Sequence, residues 1–116
     1  MQIPDNEQTS VTPIWAFYRA AYGLRTPYPK GEPAIAQDAY YSYRYALDVI
    51  KGRFIAGEPT ISQHAEWAYH YAREIIKDRW VEAEPAIIQS EWAKYYFSHF
   101  QDQFTEHEKV LWLLKI

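Results

Sequence analysis

The 116 residues carry 12 Lys and Arg against 15 Asp and Glu, four His and no cysteine, for a net charge of −3. That length suits one domain with a packed core, the missing cysteine excludes disulfide and thiolate chemistry, and the acidic balance argues against a general polyanion binder, which needs a basic stripe. At 48% apolar and 18% aromatic, with eleven Tyr and five Trp, the composition is globular rather than disordered.

Residues 1–12 read as a polar tail, without the basic and apolar regions of a secretory signal. No run approaches the ~20 apolar residues of a membrane span, so a cytoplasmic protein with no membrane contact is expected. Thr12 and Pro13 form a cap and first position for a helix to about Tyr22, and Gly23 to Gly31, with two prolines, is the loop after it.

From there an internal repeat organises the chain. Glu32-Pro33, Glu58-Pro59 and Glu84-Pro85 recur every 26 residues, each followed by Ile (Ile35, Ile61, Ile87) and Gln (Gln37, Gln63, Gln89). The first two full units also agree at Ala39/Ala65, Tyr43/Tyr69, Tyr45/Tyr71, Ala46/Ala72, Ile50/Ile76, Lys51/Lys77 and Arg53/Arg79. The third matches through Glu91-Trp92-Ala93 if one residue is deleted near Ser90, or through Tyr95 and Phe97 if none is; the sequence leaves both registers open. Stepping back by 26 sets Trp15, Phe17 and Ala20 on Trp67, Tyr69 and Ala72, a degenerate half-unit.

Each unit reads as a short helix opened by its Pro and a longer helix capped by Asp38, by Ser90, or less well by His64. The expected core face is Ala39, Tyr43, Ala46 and Ile50, repeated as Ala65, Tyr69, Ala72 and Ile76, with Tyr40, Arg44, Asp48 and Lys51 solvated. The long helices should end near Gly52 and Asp78, with lysines against the last carbonyls. Thr105 to Glu108 resembles a capping box opening a last helix, whose Val110, Leu111, Trp112, Leu114 and Ile116 should cover the core as a lid.

The expectation is therefore an all-α, right-handed, α-solenoid-like array of about three and a half units in one domain, 1–116. It comprises a tail (1–12), a half-unit and loop (13–31), repeats at 32–57, 58–83 and 84–104, and a capping helix (105–116).

The string from Ala65 to Pro85, with Trp67-Ala68-Tyr69-His70-Tyr71-Ala72 followed by Ile75-Ile76-Lys77-Asp78-Arg79-Trp80, resembles a short tandem repeat of tailed-phage and large-virus proteins. The Pro that often opens the longer helix there is absent at Ala39, Ala65 and Glu91. The resemblance covers about residues 31 to 100 and implies phage or prophage origin, hence the cytoplasm of a bacterial host, and an interaction role without catalytic residues.

Chemistry is sparse. Glu66, His70 and Glu74 share one helical face, but the first unit places Tyr40, Arg44 and Asp48 there, so solvated charge pairing is preferred to a metal site. With no nucleophile elbow, phosphate loop or dinucleotide fingerprint, no enzyme and no cofactor is expected.

The repeated pairs Arg53-Phe54 and Arg79-Trp80 could hold a phosphate and stack a base; the preferred alternative is that each Arg pairs with Glu58 or Glu84 while its ring plugs the groove between units. A stripe of Trp15, Tyr41, Trp67 and Trp92, with Tyr45, Tyr71 and Tyr96 beside it, is either core or an interaction ladder. The candidate binding residues are Tyr41, Tyr45, Trp67, Tyr71, Trp92, Arg53 and Arg79. The expected function is protein binding, with a host defence or other macromolecular machine as target and no affinity for duplex nucleic acid. The runner-up is a sponge for a nucleotide signal, and the third reading is a virion assembly protein.

Overall fold

A computed structural model describes residues 11–116, and among these the regular structure is helical with no strand. The described chain is an all-α repeat array. It divides into two compact units after Thr60.

In the first unit, helix α1 (Pro13–Tyr18) is capped by the Thr12 hydroxyl, which accepts the Trp15 N–H at 3.1 Å. It continues as a wider π-helical segment, Arg19–Leu24. A 3₁₀ turn, Pro29–Gly31, leads into the short helix α2 (Glu32–Ile35). Helix α3 (Ala39–Tyr45) is capped by Asp38 through Tyr41 N–H at 2.9 Å and again widens into a π segment, Ala46–Ile50. A second 3₁₀ turn, Ile55–Gly57, opens α4 (Glu58–Ile61), where the chain divides.

The second unit repeats the sequence of elements. Helix α5 (Ala65–Tyr71) runs into a π segment, Ala72–Ile76, and a 3₁₀ turn, Val81–Ala83, opens α6 (Glu84–Ile87). Helix α7 (Ala93–Phe100) and a turn at Gln101–Gln103 precede α8 (Glu106–Lys115). As its poor capping chemistry implies, His64 makes no side-chain cap bond. Ser90 does not cap α7 as expected: its hydroxyl accepts the Trp92 N–H and donates to the Ile87 carbonyl, and the helix starts three residues later.

The long helices end one way. Arg25, Lys51 and Lys77, 26 residues apart, have φ of 59°, 60° and 61°, in the left-handed region that non-glycine residues enter at a cost of roughly 1 kcal/mol. Each N–H returns to the carbonyl five residues earlier, on Ala20, Ala46 and Ala72. The wide last turn thus satisfies a carbonyl that would otherwise be orphaned, and the three cations stand at the negative helix ends. The half-unit consequently carries a full repeat signature at Arg25, which composition does not reveal.

The core face agrees in part with the expected one: Tyr69 and Ala72 of the second unit are buried as expected, while the first unit departs from it. Ala39, Ser42, Tyr45 and Ala46 are buried, whereas Tyr43 and Ile50 are half-exposed. Two causes act together. The Tyr45 hydroxyl is held inward by polar partners, and the widening after Tyr45 breaks the 3.6-residue spacing on which Ile50 was placed.

Those partners recur. The Tyr45 hydroxyl accepts the Tyr28 N–H at 2.8 Å and donates to Glu32 at 2.7 Å. In the second unit the Tyr96 hydroxyl accepts the Trp80 N–H at 2.8 Å and donates to Glu84 at 2.7 Å. Tyr96, not Phe97, is thus the counterpart of Tyr45, which fixes the third register as the one with a deleted residue. Tyr28 and Phe54 are buried, and both sit against glycine. A Cβ on Gly31 would lie 2.5 Å from the Tyr28 ring, and one on Gly57 would lie 2.6 Å from the Ser42 hydroxyl and 2.7 Å from the Phe54 ring.

The last helix departs most from expectation. Its capping box forms as read, Thr105 accepting from Glu108 N–H and Glu108 from Thr105 N–H. Trp112 is buried against Tyr96, Phe97 and Phe104. Val110, Leu111, Leu114 and Ile116, expected to cover the core, are exposed, Leu114 at 78%. One ring anchors α8, and the rest of its apolar surface faces away.

Candidate functional site

The Arg-aromatic pairs are structural joints. Arg53 donates to both Glu58 oxygens at 2.7 and 2.8 Å, and Arg79 to both Glu84 oxygens at 2.9 and 2.8 Å. A planar fork on a carboxylate is the strong form of this contact. Arg79 also lies 3.9 Å over the Phe104 ring and pairs with Glu108, which holds the Glu108 carboxyl down at about 2. Phe54 is buried edge-on against Tyr45, and Trp80 is tilted on Tyr71. The guanidinium groups of Arg53 and Arg79 are thus directed at carboxylates, and no base-stacking pocket is assembled from these pairs.

Tyr45 and Tyr71, read as candidates beside the stripe, are fully buried. Burial pushes the Tyr45 phenol well above its ordinary range, with the Glu32 carboxylate adding to the shift. Both residues are core and offer no surface to a partner.

The stripe itself is half-exposed at Trp15, Tyr41, Trp67 and Trp92. In the first unit, Tyr41 packs on Phe17 at 5.5 Å, Tyr18 at 6.4 Å and Tyr40 at 4.9 Å, and Tyr18 stacks on Tyr22 at 5.3 Å. Tyr18 and Tyr22 are exposed. Arg44 lies over the Phe17 and Tyr40 rings, donates to the Tyr40 hydroxyl and pairs with Asp48 at 2.6 Å, so the expected solvated face is a bonded strip. Burial and the neighbouring Tyr18 raise the Tyr41 phenol.

In the second unit, Trp92 stacks on Tyr69 at 5.5 Å, meets His70 edge-on at 5.3 Å and tilts against Tyr95 at 5.5 Å. Trp67 tilts on His70 at 5.7 Å, and Lys94 lies over the exposed Tyr95 ring. Each unit thus has two rungs of the stripe, and the second rung of each, Tyr41 or Trp92, meets rings of the preceding long helix in that unit. Tyr18 and Tyr22 in the first unit and Tyr95 in the second extend these ring clusters and are not among the residues the sequence singled out. The signal for Tyr18 and Tyr95 is a spacing of three from a stripe residue, Trp15 to Tyr18 and Trp92 to Tyr95, and Tyr22 follows Tyr18 by four.

Two recesses, one in each unit, are open and modest. One of about 210 Å³ is lined by Glu91, Trp92, Lys94 and Tyr95, and another of about 330 Å³ by Ala20, Ala21, Arg25, Asp48, Val49 and Lys51. Among the described residues, no group of three or more His, Asp or Glu could hold a metal ion, and no helix is long and apolar enough to cross a membrane. An aromatic surface of this kind can contact a broad complementary face, since Tyr and Trp supply large, rigid area with a polar edge. No family model, no curated protein and no solved structure matches the chain.

Proposed function

We propose that this chain is a non-enzymatic binding module of phage or prophage origin that engages a host protein through its half-exposed aromatic surfaces. The reading makes it an inhibitor of a defence or other macromolecular machine. One observation carries it: Trp15, Tyr41, Trp67 and Trp92 stay half-exposed, and Tyr18, Tyr22 and Tyr95 exposed, in a chain that buries Tyr45, Tyr71 and Tyr96 completely. The same residue types are sorted into core and surface, and rings left at the surface are the side chains that dominate protein interfaces.

The net charge of −3, with basic residues dispersed along the chain, supports a protein rather than duplex nucleic acid as partner. The test is retention of host proteins on immobilised chain, compared with Trp67→Ala/Trp92→Ala and Tyr18→Ala/Tyr41→Ala variants of unchanged helicity. A partner held by the parent and released by either double variant supports the reading; retention by both variants overturns it.

A further inference from the structure

Helix α8 presents two unlike sides. Glu108 and Trp112, four residues apart, bind Arg79 and the Tyr96, Phe97 and Phe104 rings. On the other side His107, Val110, Leu111 and Leu114 are exposed, at the i, i+3, i+4, i+7 spacing of a helix-packing seam, with exposed Leu113 at its edge. The anchoring of Trp112 fixes this seam outward.

We propose that the seam is the interface of a homodimer in which α8 packs antiparallel on α8 of a second copy. The seam is symmetric about the midpoint of Val110 and Leu111, so a two-fold axis there sets Val110 against the second copy's Leu111 and His107 against its Leu114. Antiparallel packing also places an acidic first turn, Glu106 and Glu108, beside a basic last turn containing Lys115, and opposes the two helix dipoles. Glu106 is 91% exposed, with Lys109 as its recorded ion partner. Another exposed apolar helix surface, Ile14, Tyr18 and Tyr22 with Leu24, has no acid in its first turn to complement the Lys115 end, which favours α8 as the occupant over that surface.

Sedimentation of the full chain over about 1 to 100 µM tests the proposal. A concentration-dependent dimer is expected, and Leu111→Glu/Leu114→Glu should raise its dissociation constant about a hundredfold with helicity unchanged. Because the chain lacks cysteine, single substitutions report orientation cleanly. Val110→Cys, beside the axis, should form a disulfide-linked dimer on air oxidation; Glu106→Cys, about 13 Å from its copy along the helix, should not. A monomer at 100 µM, a dimer untouched by the double Glu variant, larger head-to-tail assemblies, or equal cross-linking through Glu106→Cys would each overturn the proposal.

Discussion

The Tyr96 hydroxyl donates to Glu84 Oε2 at 2.7 Å, and Arg79 donates to both oxygens of the same carboxylate. The phenol also takes the Trp80 N–H, so one buried oxygen joins the long helix, the inter-unit turn and the opening acid of the short helix. Tyr96→Phe leaves a buried N–H without its acceptor and a nine-tenths buried carboxylate with one donor fewer. The expected loss is about 2 to 3 kcal/mol in urea unfolding. Tyr45→Phe should cost less, because Glu32 is half-exposed. A loss below about 0.5 kcal/mol for Tyr96→Phe would contradict the arrangement.

The third register became readable through that bond. The 26-residue period, the arginine-to-glutamate joints and the Thr105 capping box were legible in the sequence because each is a local pattern of chemistry at fixed spacing. The left-handed residues Arg25, Lys51 and Lys77 were not, since basic residues there read equally well as ordinary helix ends. Tyr45 was placed beside the surface stripe because periodicity counts apolar positions on an ideal helix, and here the helix widens. For α8, the apolar residues were evident but not their direction, which the anchors Trp112 and Glu108 decide.

Lys51→Gly and Lys77→Gly should each relieve left-handed strain, offset in part by the greater freedom of glycine in the unfolded chain. A net gain of up to about 1 kcal/mol is expected from chemical denaturation. A loss of more than about 1 kcal/mol in both would show that the lysine side chains, not the backbone, set the helix ends.

Gly57→Ala should destabilise by about 1 to 3 kcal/mol, because the new methyl meets the Ser42 hydroxyl and the Phe54 ring inside contact distance. The equivalent position in the next unit already carries a buried alanine, Ala83, so Ala83→Gly should gain nothing from relieved crowding. Thermal melts of both variants check the pair, and an unchanged Tm for Gly57→Ala would refute the close approach.

Acid should loosen α8. Bonding to Arg79 lowers the Glu108 carboxyl from 4.5 to about 2, so its stabilisation is present above about 4.5 and is lost as pH falls toward 2. Stability measured across that window should fall more steeply in the parent than in Glu108→Gln. Identical acid limbs would remove Glu108 from the account.

Competitive retention from host lysate tests the central claim most directly, using the parent chain, the Trp67→Ala/Trp92→Ala variant and the Leu111→Glu/Leu114→Glu variant side by side. The account predicts that one set of host proteins is held by the parent and by the α8 variant and is released by the tryptophan variant, with all three equally helical. Host proteins held equally by all three would contradict it, because the aromatic surface would then have no part in binding.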